Sequence, residues 1–89
     1  MNAPSRLSLP VVLSSLKRAQ RGTVAEVDWH RLTAPEARRL RELGLDEGVE
    51  VELVRRPGWL GGPMACRIGR MTVALRRHVA QAIHVAPAG

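Results

Sequence analysis

Apolar and polar positions along this chain change period several times, and each change marks an element. Thr23 to Trp29 alternates, with Ala25, Val27 and Trp29 on one face, as a half-buried strand requires. Val49, Val51 and Leu53 alternate with Glu50 and Glu52 and predict a second strand. Met64, Cys66 and Ile68 share one face of a third, and Met71, Val73 and Leu75 share one face of a fourth. Gly69-Arg70 between them is a two-residue link suited to a type II′ hairpin. Arg76 to Gln81 lacks alternation and predicts one helical turn, and Ala82 to Val85 closes the series as a short fifth strand.

A helical period replaces the alternation between the first two strands. Thr33-Ala-Pro-Glu36 is a capping box, in which the Thr33 hydroxyl accepts from the Glu36 amide and the Glu36 carboxylate accepts from the Thr33 amide. Pro35 falls in the first turn, where its missing N–H costs nothing. Ala37, Leu40 and Leu43 form an inward stripe, leaving Arg38, Arg39, Arg41 and Glu42 mostly outside it. Gly44 is the natural left-handed residue after the helix, and Leu45 can fold back on Leu40. Asp46-Glu47-Gly48 then makes a tight turn.

The N-terminal part is less patterned. Met1 to Pro10 mixes Pro, Ser and Asn, and residues 1–12 are expected to form a flexible extension ahead of one domain over residues 13–86. Val11 to Ala19 predicts a short helical turn with Val12, Leu13 and Leu16 on one side. Together the elements predict a mainly β fold. It is a small, SH3-like, five-stranded barrel with a short helix inserted after the first strand, whose closure would hide the strand edges.

Composition narrows this picture. Eighty-nine residues fit one domain, and a chain this short buries only about 60% of its unfolded surface. With 45% hydrophobic residues and neither Phe nor Tyr, its core must be aliphatic. The single Cys66 cannot form an internal disulfide. Leu9 to Leu13, interrupted by Pro10, is too short for a signal-peptide core or for the roughly 20 residues of a membrane helix. A cytoplasmic protein is expected. The net charge of +6 admits nucleic acid or an anionic surface as partner, but the arginines are scattered along the chain and so also fit a generally Arg-rich composition.

Catalytic chemistry finds no constellation. There is no paired-His helix motif, no CxxC and no Gly-rich loop leading into a helix. No catalytic residue, cofactor or metal site is assigned, and no enzyme is expected. Cys66 sits on the Met64–Ile68 face as a small core residue. His84 should point outward from the last strand, and His30 and His78 lie far apart in sequence, so one chain supplies no obvious ligand set. The candidate surface is instead the loop Arg55 to Pro63, with Arg55, Arg56, Trp59 and Leu60, together with Arg38, Arg39 and Arg41 of the helix. Arg and Trp are favoured at interface hot spots. Trp59 could equally fold down as a lid on the barrel's open end.

At Arg38-Arg-Leu-Arg-Glu-Leu-Gly-Leu-Asp-Glu-Gly48 the sequence resembles the FeoA family, whose members carry a basic-Leu run ending in Leu-Gly-Leu or Leu-Gly-Met, two variable residues, then Gly and a β-branched strand. The similarity continues through Val54-Arg55, Leu60-Gly-Gly-Pro63 and Val73-Ala-Leu-Arg-Arg77, with Ala80, Ile83 and Val85 following in order. The resemblance implies an SH3-like barrel with a helical insertion and a cytosolic accessory of ferrous iron uptake. Its implied partner is FeoB, the membrane protein that carries a G-protein domain and moves Fe(II), so the chain would meet the membrane only through that partner. It also implies a binding or regulatory module without a catalytic or established metal site. A related domain ends iron-dependent repressors, but no winged-helix segment precedes it here, so a stand-alone protein is expected. Trp59 and an enlarged Arg55 to Pro63 loop depart from the family pattern, as does the N-terminal extension.

Two other readings stand beside a FeoB-binding module. A basic nucleic-acid-binding barrel would fit the charge, but Trp29 and Trp59 are the only aromatics available for base stacking, so no nucleic acid is expected. A transition metal ion binding sensor would have to use His30, His78 or His84.

Overall fold

The computed structural model describes residues 9–56, 58 and 62–88. Six strands form one antiparallel sheet: β1 (Val11–Val12), β2 (Arg21–Val27), β3 (Glu50–Arg55), β4 (Met64–Ile68), β5 (Met71–Leu75) and β6 (Ile83–Pro87). Their order is β1-β6-β2-β3-β4-β5, which leaves β1 and β5 at the two edges. The expected fifth strand over 82–85 is thus β6, shifted toward the C-terminus, and Val11–Val12 adds a strand that the residue pattern did not show. Two residues are too few to display a period. They become a strand only by pairing with Val85 and His84 of β6. The helical turn expected over Val11 to Ala19 shrinks to a single 3-10 turn at Leu13–Ser15, which buries Leu13.

Helix α1 (Ala34–Glu42) lies between β2 and β3, and both of its ends form as the sequence dictates. The Glu36 amide donates to Thr33 Oγ1 at 3.2 Å, and the Thr33 amide donates to Glu36 Oε1 at 2.9 Å. At the other end Gly44, at φ +80°, donates to the Arg41 carbonyl, and the Leu45 amide donates to the Leu40 carbonyl at 2.8 Å. These two bonds are a Schellman ending, and both Leu40 and Leu45 are buried.

Strand β2 departs from simple alternation. It pairs with β6 through Val24↔Val85 and then Glu26↔His84, so Ala25 is an extra, bulged residue. The bulge resets the pleat. Val24 and Val27 face the core while Ala25 is exposed, and the strand ends before Trp29, which sits half-buried in a 3-10 turn, Trp29–Arg31. A second bulge sets Val54 between Leu53↔Cys66 and Arg55↔Ala65 in the β3–β4 pairing. In the β4–β5 hairpin, Gly69 has φ +61° and Arg70 is not in the left-handed region, the arrangement of a type II′ turn.

The core is aliphatic, as the composition requires. Leu13, Leu45, Leu53, Met64, Cys66, Ile83 and Val85 are fully buried, and among the described residues no polar or charged side chain is buried with them. Helix α2 (Arg77–Ala80), a single turn, adds Val79 and Ala80 to the buried core. The architecture is that of a small SH3-like barrel, mainly β and built on six strands, but β5 does not pair with β1, so the closure expected to hide the strand edges is incomplete.

Candidate docking surface

Arg55 ends β3 and Arg56 follows it, both exposed. They border a depression of about 680 Å³ beside β5, lined also by Val54, Ala65, Thr72, Val73 and Ala74. Ala65 and Ala74 are cross-strand partners, so this part of the lining carries only two methyl groups where larger side chains would fill it. Arg18, from the loop before β2, completes this rim. Trp59 and Leu60, the apolar half of the expected surface, lie outside the described residues.

The helix arginines divide. Arg41 lies over the indole of Trp29, its guanidinium carbon 4.2 Å from the ring centroid, a cation–π contact that ties α1 to the turn after β2. Arg38 and Arg39 are exposed, and Arg39 lines a second groove of about 240 Å³ with Leu40, Ala74, Leu75 and Val79. Ala74 of β5 belongs to both depressions, so β5 is where the Arg55–Arg56 corner and the Arg39 side of the helix come together. Arg76 and Arg77, which follow β5, line the adjoining hollow with Pro63 and His78. Among the described residues no ion pair engages Arg18, Arg39, Arg55, Arg56 or Arg76, whereas Arg21 and Arg67 flank Glu52 across three strands at 3.7 and 3.5 Å.

Residue-by-residue reading missed Arg18, Thr72, Ala74 and Arg76. Their joint position depends on the strand order, which no local period encodes. The Arg76-Arg77 pair, set directly after a strand and before a helical turn, was the one local signal available.

The other titratable groups serve the fold. Glu36 completes the capping box through one carboxylate oxygen and meets His78 Nε2 at 2.6 Å through the other. Its carboxyl is held below the usual value, first by the Thr33 amide and then by His78. Asp46 is also held low, first by a hydrogen bond with the Glu47 side chain and then by the Glu47 amide, with Arg41 adding its charge. Glu47 Oε2 accepts from the Val27 amide at 3.3 Å and so caps the end of β2. Burial pushes the Cys66 thiol up to about 11. His30 is exposed, and His84 is half-buried on β6 opposite Val12 and Glu26. Among the described residues no three His, Cys, Asp or Glu side chains converge to hold a metal ion, and no helix is long and apolar enough to cross a membrane.

Comparison with known proteins agrees with this architecture. The FeoA domain description matches residues 11–87. The Stenotrophomonas maltophilia FeoA crystallised with zinc, described as a prokaryotic SH3 domain protein, is 37% identical with a TM-score of 0.69, over 84% of this chain and 88% of that one. The solution structure of the Chlorobium tepidum FeoA protein is 30% identical with a TM-score of 0.76, over 89% of this chain and 71% of that one. A manganese-dependent transcriptional repressor shares the fold at 23% identity and a TM-score of 0.77, and this chain spans 42% of its length. A search of curated protein sequences gives no match. With the family description covering nearly every described residue, the chain belongs to the FeoA domain family.

Proposed function

We propose that this chain is a cytosolic, non-catalytic accessory module of bacterial ferrous iron uptake that binds the FeoB transporter. The observation that carries this reading is the family match over residues 11–87, together with 37% identity to a FeoA protein described in connection with ferrous iron transport activation. The surface supports a binding role. Its basic side chains gather around one sheet edge, and its titratable groups are spent on helix capping and strand ends rather than on a reactive cluster.

Nucleic acid would be drawn to the same arginines. Base stacking on Trp29 is disfavoured, because that ring is half-buried and covered by Arg41. Metal sensing has less support still, since among the described residues no three His, Cys, Asp or Glu side chains converge.

Deleting the gene and following Fe(II) accumulation tests the proposal. Uptake should fall or rise clearly against wild type and return on complementation. Unchanged accumulation, with no capture of the cognate transporter's cytosolic part in a pull-down, would sink it.

A further inference from the structure

We infer that the outer edge of β5 is a docking site for an extended segment of a partner protein in which acidic and aliphatic residues alternate. The inference rests on the reading of this chain as a protein-interaction module and names the surface and chemistry by which it binds.

The backbone register supplies the first argument. In a two-residue hairpin the flanking residues, here Ile68 and Met71, exchange both main-chain hydrogen bonds. Alternation along the ladder then assigns Cys66–Val73 and Met64–Leu75 to bonded pairs. Thr72 and Ala74 therefore direct their N–H and C=O groups away from β4, out of the sheet. Strand β5 is terminal in the sheet, and among the described residues no backbone group bonds to Thr72 or Ala74 from the open side.

Edges of this kind are normally blunted by charge, proline or brevity. The opposite edge, β1, is two residues long and preceded by Pro10. Strand β5, Met-Thr-Val-Ala-Leu, has five residues and neither a charge nor a proline. Among the described residues nothing pairs with its open side, so it is suited to receive a strand.

The side chains around the edge select the occupant. An added strand would send alternate residues to opposite faces. On one face they would meet the Ala65–Ala74 depression rimmed by Arg18, Arg55 and Arg56. On the other they would meet the groove whose apolar part is Leu40, Leu75 and Val79, bordered by Glu36, Arg39 and Arg76. Carboxylates suit the first and branched aliphatic side chains suit the second. A second copy of this chain is disfavoured, because pairing two such edges would bring two identical arginine rims together.

The test uses the whole chain and a fluorescein-labelled peptide, Glu-Val-Glu-Ile-Glu-Val, followed by fluorescence anisotropy at low salt. Saturable binding is expected. N-methylation of alternate peptide nitrogens, which keeps every charge, should weaken it on the order of tenfold. Thr72→Pro should do the same, because that amide faces outward and the hairpin ladder survives its loss. Equal affinity for the N-methylated peptide would overturn the inference, showing charge attraction without strand addition. So would displacement by an oligothymidylate of matched charge at equal concentration, or an absence of binding. If the chain captures its transporter but fails with these peptides, the edge assignment alone is wrong.

Discussion

His78 Nε2 lies 2.6 Å from Glu36 Oε2, joining the helical turn after β5 to the first turn of α1 across 42 positions of sequence. Glu36 thus closes a local capping box with one oxygen and a long-range contact with the other. The two short helices are fastened to each other through a residue that sequence reading assigns to capping alone.

This arrangement predicts an acid-limb dependence. A carboxyl held low in the folded chain contributes stability that is complete above its unfolded value, about 4.3, and is lost as pH falls through the lower folded value. Urea midpoints measured from about pH 7 down to pH 3 should therefore fall more steeply for wild type than for Glu36→Gln. His78→Ala should remove part of that difference and leave the Thr33 part. Superimposable acid limbs for all three proteins would contradict the assignment.

Gly22 predicts a packing limit. A Cβ at this position would overlap Val85 Cγ1 and stand 2.8 Å from the Ala86 carbonyl oxygen. Valine could turn, but the carbonyl belongs to the β2–β6 ladder and cannot. Gly22→Ala should cost about 1–3 kcal/mol by denaturant unfolding, as overpacking of a filled site does. A loss under about 0.5 kcal/mol would show that β6 can step aside.

Cys66 predicts an unreactive thiol. It is fully buried on β4, with its ionisation pushed up to about 11, so little thiolate exists near neutral pH. An aromatic disulfide reagent at about pH 8 should label the native chain only as fast as it opens, and at once in urea. Immediate labelling of the native protein would place the thiol at the surface.

How much of this was legible beforehand follows from how local each signal is. Thr33, Glu36, Gly44 and Leu45 act within a few residues of one another, and α1 formed with both endings as read. Gly69-Arg70 likewise fixed its hairpin. Ala25 could not be placed from sequence, because the bulge that turns it outward exists only through pairing with β6, nearly sixty positions later. The same holds for Val11–Val12. For the candidate surface, composition alone singles out Arg55 and Arg56, while their placement beside Arg18 and Ala74 follows from β5 lying at the sheet's edge. Trp29, expected on a strand face, instead became the platform for Arg41.

The central claim is that this FeoA-family chain acts by binding its transporter through the basic surface around β5. Its most direct test is calorimetric titration of the whole chain into the purified cytosolic part of the cognate FeoB, alongside the Arg55→Glu/Arg56→Glu double variant. The account predicts saturable binding by wild type, weakened on the order of tenfold or more in the double variant, with unchanged circular dichroism. Absence of binding by the folded wild-type chain at low salt, where such contacts are strongest, would contradict it.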